Sequence, residues 1–481
     1  MKRRSWLVCA AVLLLGATAS IAAEQDVAKQ KMWAGVYDKC KGSIMQVDIT
    51  RRTKDGSSLA MGSAFLISED GYALSNTHVM GDCLGDKKVI FHNGKSYPFT
   101  VIETGKTIDV ALIKIDTGRK NVKFTPLKIG RSDNLVERQD VAALGNPGGR
   151  GLTISTGMIT GLSKGSEYQW GGAATWRDDM IQTDARISGG NSGGALVNAK
   201  GEVIGLVCNS RGWERDVSFA IPIDAVVKAL PDIVKVEDRN DFVTGLVVDP
   251  LVRPTIRDVG HGGAGAAAGL KAGDVIVAVN GRKMVTGMDY CLALLDCAPG
   301  DVLILSVRRD RRVIKKRLKL AKVEPVPAVE VEGLVHGVDF QYDKSGYGLV
   351  EDFVKLDPDE TGTTDTFGIG PYAGQDGFRM QFDAYIRVPA EGKYTFYVNS
   401  DDGGRLWLAG RLVVDNNGLH APFEASGVVT LAAGLHPIRV GYAEAAGGET
   451  FVVSYEGPGV KKQVIPASVL FRKPKHGDGG K

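Results

Sequence analysis

The stretch IQTDARISGGNSGGALVNAKGEVIGLV (Ile181–Val207) sets one serine, Ser192, among Gly189, Gly190, Gly193 and Gly194, then runs into two apolar segments separated by a second glycine turn. Short β-branched runs punctuated by glycine read as strand, turn, strand. The same grammar extends outward in both directions. It appears in SIMQVDIT, GSAFLI, YALSNTHV, DVALIKID and DVAALG upstream, in LTISTGMITGL, and in VSFAIPI downstream. Helical periodicity first appears in IDAVVKALPDIVK, from Ile223. Many short strands without alternating helices predict a closed or sandwiched β architecture and argue against a parallel α/β sheet.

The chain is 481 residues long with a formal net charge of +3, enough for about three domains. Its one dense basic run, RRDRRVIKKRLK at 308–319, alternates with apolar residues as a strand and turn would, so nucleic acid is not expected as a partner. Residues 1–23 have a basic start, an apolar run and small residues before Glu24, the pattern of a secretory signal peptide; an uncleaved anchor is the alternative. Export leaves Cys40, Cys83, Cys208, Cys291 and Cys297, an odd number in a compartment that permits disulfides. A Cys40–Cys83 pair is one option. Cys208, Cys291 and Cys297 read as thiols.

A nucleophilic serine needs a base, a carboxylate to orient the base, and donors for the oxyanion. His78 closes the strand-like YALSNTHV, and Asp109 stands at the mouth of the apolar DVALIKI, giving the order His, Asp, Ser. GNSGG also fits the elbow of α/β-hydrolases, but that chemistry runs Ser, Asp, His, and later histidines begin only at His261. The glycines allow the N–H groups of Gly190 and Ser192 to converge as an oxyanion hole. A solvated turn is the plain reading of GNSGG alone; the three motifs in order favour catalysis.

These motifs, with GSAFLISEDGYALSNTHVMGD, ALGNPGG and VSFAIPID, resemble the HtrA (DegP-like) family over 27–235. The resemblance implies a trypsin-like double β-barrel with His78 as general base, Asp109 as orienter, Ser192 as nucleophile and the hole at Gly190 and Ser192. No cofactor is required. Arg186 and Ile187 then fall near the primary specificity pocket. An inward Arg186 would favour acidic or polar side chains, and a solvated one would not. Gly189 stands where the family often has a larger residue, which suggests a loop that sets only on activation.

Residues 241–322 resemble a PDZ domain through GAAAGLKAGDVIVAVNGRKM and APGDVLILSVRRD, which implies capture of peptide C-termini at Thr244, Gly245 and Leu246, with Val248 and Leu294 in the groove. The segment 323–333, with two prolines, reads as an extended linker. Residues 334–472 resemble the protective-antigen-type (PA) β-sandwich through GKYTFYVNSDDGGRLWLAGRLVVDN, which implies glycan binding, with Asp401 and Asp402 as candidate calcium ligands. Trp407, between Leu406 and Leu408, reads as core, and 473–481 as a tail. The fold class is therefore mainly β: double barrel, PDZ domain, sandwich. The function expected is an exported, ATP-independent serine endopeptidase acting on unfolded or damaged polypeptide in the periplasm or cell envelope. Trimers or their multiples are implied by the resemblance. The alternative is an envelope chaperone or binding scaffold whose protease domain is mostly silent.

Overall fold

In the strand Ile44–Thr53 (β1), Met45, Val47 and Ile49 face one way into a fully apolar core, while Gln46 and Asp48 face the other. That period of two is what a strand in a barrel wall requires. The protein is described here by a computed structural model covering residues 24–475, apart from 54–55, 82, 106–107, 119–121, 147–150, 171–172, 211–217, 252, 261–262, 345–357, 419–421 and 446–448. At 51–53, 56–58, 83–85, 163–170, 173–178 and 209–210 it describes the backbone alone. The expected signal peptide thus lies outside the described residues, as do Cys83's side chain and the tail beyond 475.

β1 joins β2 (Gly56–Leu66), β3 (Tyr72–Ser75), β4 (Cys83–Phe91), β5 (Ser96–Thr104) and β6 (Ala111–Ile115) in a closed barrel of order β1-β2-β3-β6-β5-β4. Met45, Val47, Leu66, Val89, Phe99 and Ile113 fill it. A second sheet runs β11-β8-β9-β10-β13-β12-β7, from β7 (Lys128–Ile129), β8 (Asp140–Gly145), β9 (Thr153–Trp170), β10 (Ala173–Thr183), β11 (Ala195–Asn198), β12 (Glu202–Ser210) and β13 (Ser218–Pro222). β11 also pairs with β12, which closes this sheet on itself around Val141, Ile181, Leu196, Ile204 and Val207. Closure removes exposed strand edges. The helix Ile223–Val234 follows, burying Ile223, Val226, Val227, Leu230 and Val234 along one stripe, and ends at Lys235 in the left-handed region.

The third module pairs Leu246–Val248 with Ile256–Val259 and stacks Arg282–Lys283, Val275–Val279, Val302–Arg309 and Arg312–Lys319 in one sheet. Its helix Gly287–Leu294 starts with a capping box in which Thr286 and Asp289 satisfy each other's backbone N–H groups. Cys291 and Cys297 are free thiols, and burial pushes the Cys291 thiol up to about 12. Cys40 is a free buried thiol, so it forms no disulfide.

The chain divides into two compact units, one holding both barrels and most of the third module, the other holding Leu320–Lys481 with 240–243 and 298–300. The second unit is a sandwich of an eight-stranded and a four-stranded sheet, packed through Phe382, Ile386, Phe396, Leu406, Val440 and Tyr455. Two sequence expectations change here. The 323–333 segment is not a free tether: Val326 N–H donates to Thr430 O at 2.8 Å and Val329 N–H to Leu435 O at 2.8 Å, so the linker is docked on the sandwich. Trp407 is not core. Leu406 and Leu408 point inward, and strand alternation turns the indole to the opposite, partly exposed face against Ala443.

Candidate active site

Asp109 enters β6 fully buried, and its carboxylate is held twice by one residue: His78 N–H donates to Oδ1 at 2.9 Å, and His78 Nδ1 lies 2.6 Å from Oδ2. The turn that carries His78 is fixed from the same strand entry. Asn76 Nδ2 donates to Asp109 O at 2.7 Å and Thr77 Oγ1 to Val110 O at 2.9 Å. A carboxylate on Nδ1 places the ring proton there and leaves Nε2 with the lone pair, the tautomer a general base needs. The imidazole remains one-third exposed (33 %), within reach of a substrate.

The loop 188–194 is held at several of its peptides. Asn191 N–H donates to Ser188 O at 3.0 Å, Gly194 N–H to Asn191 O at 2.9 Å, and Gly193 N–H to Val207 O at 2.9 Å. Gly190 has φ +99°, a conformation that favours glycine. Ser63, on β2 and fully buried, anchors the loop at two points. Its N–H donates to Ser192 O at 2.8 Å, and its hydroxyl donates to Gly190 O at 2.7 Å while accepting from Asn146 N–H at 2.9 Å. The carbonyls of Gly190 and Ser192 are thereby turned toward β2. The N–H groups of Gly190 and Ser192 donate to no described residue, the state an oxyanion hole requires. The Gly189–Gly190 peptide has neither group bonded among the described residues.

The nucleophile's own proton is directed elsewhere. Ser192 Oγ donates to Cys208 O at 2.8 Å, and a hydroxyl has one proton to give, so it is not donating to His78 in this arrangement. The buried Asn191 Oδ1 beside it has no hydrogen-bond partner among the described residues. The structure brings His78 and Asp109 into contact and bonds the Ser192 hydroxyl to the Cys208 carbonyl. Ser63 and the Cys208 carbonyl were not flagged by the sequence: nothing in GSAFLI or GLVCNS distinguishes them from ordinary strand residues.

Arg186 is exposed, and Ile187 is buried in the second barrel's core, so the structure gives no support to an inward arginine that selects acidic side chains. In the third module Thr244 is corrected: it is fully buried, its N–H donates to Glu237 Oε1 at 3.1 Å, and its hydroxyl also bonds that carboxylate. Leu246 N–H donates to Thr244 Oγ1 at 3.2 Å. Gly245, at φ +67°, and the half-buried Leu246 and Val248 remain at the edge of a strand paired on one side only, the edge a peptide strand would extend. Leu294 is buried in the facing helix. Burial raises the Glu237 carboxyl above its ordinary value.

At the Asp401–Asp402 turn, Asp402 sits at φ +62° and its Oδ2 accepts from Ala445 N–H at 2.8 Å. Among the described residues no three His, Cys, Asp or Glu side chains converge to hold a metal.

Comparison with known proteins agrees with this order of parts. Family models match a trypsin-like peptidase domain at 62–206, a PDZ domain at 255–309 and a PA14 domain at 333–468. A probable periplasmic serine endoprotease DegP-like of Brucella suis is 32 % identical over 281 residues, 55 % of this chain and 53 % of that protein. Serine protease HTRA1A of Danio rerio is 31 % identical over 296 residues, 54 % of this chain and 58 % of that protein. The chain thus spans about half the length of the curated relatives it matches. The crystal structure of a serine endoprotease from Yersinia pestis aligns at 24 % identity and TM-score 0.35, covering 60 % of this chain and 97 % of that one.

Proposed function

We propose that this chain is an exported serine endopeptidase of the HtrA type that cuts unfolded or damaged polypeptide, held in a resting state until its nucleophile is released. The observation that carries the reading is the doubly held Asp109–His78 pair together with a loop whose Gly190 and Ser192 N–H groups donate to no described residue. In the working cycle Ser192 Oγ turns from Cys208 O to His78 Nε2 and attacks the scissile carbonyl. His78 takes the proton, stabilised by Asp109, and returns it to the leaving amine; water then repeats the sequence on the acyl-enzyme. The third module presents substrate ends by strand addition at Leu246–Val248. The C-terminal sandwich anchors the enzyme to glycan in the periplasm or cell envelope, and assembly into trimers or their multiples completes the proposal. The periplasmic names of the Brucella relatives support the compartment.

The second reading, a chaperone or scaffold with a silent protease, is favoured by one observation: the Ser192 proton is committed to Cys208 O. Incubating mature protein and Ser192→Ala with an unfolded protein, with fragments read by mass spectrometry, separates the two. Cleavage lost in Ser192→Ala supports the protease. Absence of cleavage by the unaltered protein, with C-terminal peptides added, supports the scaffold.

A further inference from the structure

The outer face of the eight-stranded sheet carries a site that the motifs do not mark. In Phe378–Val388 the side chains of Phe382, Ala384 and Ile386 enter the core, so Asp383 and Tyr385 stand outside. By the same alternation Pro437 and Arg439 stand outside Gly434–Glu444, and Trp407 outside Gly403–Leu408. Register lines them up. Trp407 is opposite Arg439, Arg439 opposite Asp383, and Asp383 opposite Asp339, in one row across four strands. Tyr385 is opposite Pro437 in the next row. At about 4.8 Å per strand the first row spans about 14 Å.

These residues line a pocket of about 550 Å³. Its chemistry is mixed in a particular way. Trp407, Tyr385 and Pro437 supply flat apolar surface at positions where a solvent-facing strand ordinarily carries polar side chains. Beside them Arg439 Nε donates to Asp383 Oδ1 at 2.7 Å, while the two terminal nitrogens of the same guanidinium make no hydrogen bond to a described residue. Asp339 and Asp383 stand directly across a strand pair, Asp339 held by Lys475 at 2.9 Å and Asp383 by Arg439, and their remaining oxygens offer acceptors to a ligand. Flat rings flanked by convergent donors and acceptors suit a molecule with an apolar face and a rim of hydroxyls.

We infer that this face, and not the Asp401–Asp402 turn, is where the C-terminal domain takes up saccharide. A pyranose stacks on Trp407, its hydroxyls donate to Asp383 and accept from Arg439, and the chain of sugars continues along the row toward Asp339. The ligand class is a pyranose oligosaccharide of low charge, since the carboxylates of Asp339 and Asp383 and the cations Arg439, Arg472 and Lys473 all line the pocket. The inference rests on the glycan-binding reading above and specifies its site.

The test uses the full mature chain carrying Ser192→Ala, so that self-cleavage cannot intervene, in sedimentation with peptidoglycan sacculi, chitin and cellulose. Binding to at least one of them is expected, weakened about tenfold or more by Trp407→Ala and by Asp383→Asn, retained in large part by Trp407→Phe, and unchanged by Asp401→Asn. Circular dichroism confirms that each variant is folded. Undiminished binding in folded Trp407→Ala and Asp383→Asn overturns the site while leaving the glycan reading standing. Failure of the unaltered sandwich to bind any of the three overturns both.

Discussion

Replacing Ser63 by alanine removes one hydroxyl that touches neither substrate nor nucleophile, yet it should impair turnover. The Ser63 hydroxyl, itself fully buried, joins the buried Asn146 N–H at 2.9 Å to the part-buried Gly190 O at 2.7 Å. Its loss strands the Asn146 N–H, at about 1–3 kcal/mol, and leaves Gly190 O without its anchor. For a unit of this size that corresponds to a fall in Tm of roughly 2–4 °C per kcal/mol. The functional effect has another origin. Gly190 O is the point that orients the backbone next to the Gly190 N–H donor, and loss of one oxyanion donor lowers kcat by about 100- to 1000-fold. Partial disordering of that donor should cost Ser63→Ala about 10- to 100-fold in kcat with KM little changed. The control is Ser75→Ala, which removes a buried hydroxyl that donates to Ser63 O at 2.8 Å and bonds neither Gly190 nor Asn146. Steady-state cleavage of a labelled unfolded protein, measured well below both melting temperatures, distinguishes them. If kcat of Ser63→Ala stays within about twofold of the Ser75→Ala value, Ser63 is only structural and the reasoning fails.

Three other outcomes follow from the same geometry. Asp109→Asn leaves the fold intact but stabilises the wrong His78 tautomer, so kcat should fall by about three to four orders of magnitude with KM nearly constant in the same assay. Gly193→Ala puts a Cβ 2.0 Å from the Ser63 carbonyl at φ +87°, and the protease unit should melt more than about 10 °C lower in calorimetry or fail to fold. In the C-terminal sandwich, burial raises the Glu444 carboxyl to about 7; the Tyr442 hydroxyl opposes that rise, and Asp402, Asp401 and Glu449 add to it. Because the folded state holds this proton above the unfolded carboxyl's range, stability contributed by protonated Glu444 is complete below about pH 4.5 and lost as pH rises through about 7. The melting temperature of that unit should decline over this interval, and Glu444→Gln should flatten the decline; an unchanged slope would contradict the assignment.

Motif order carried much of what the sequence showed. His78, Asp109 and Ser192 stand far apart in sequence, yet the structure brings the first two into contact and sets the third in a pinned loop, because each motif sits at a strand end that the barrels fix. Ser63 was invisible for the opposite reason: its role comes from long-range contacts with Gly190 and Asn146, which leave no local pattern. Trp407 failed through parity. Leu406, Trp407 and Leu408 are all apolar, so alternation is silent about which faces inward, and only pairing with Gly434–Glu444 decides it. The 323–333 linker was misread because proline spacing reports extension but not what an extended chain docks against. Thr244 was misplaced because the carboxylate that accepts its N–H belongs to Glu237, seven residues earlier on another element.

The central claim is that Ser192 is a nucleophile activated by His78. Intact-mass spectrometry of the mature protein after exposure to a fluorophosphonate tests it most directly. A single adduct, mapped to Ser192, absent from Ser192→Ala and formed far more slowly in His78→Ala, is the result expected. Absence of the Ser192 adduct, or an adduct that forms equally fast without His78, would contradict it.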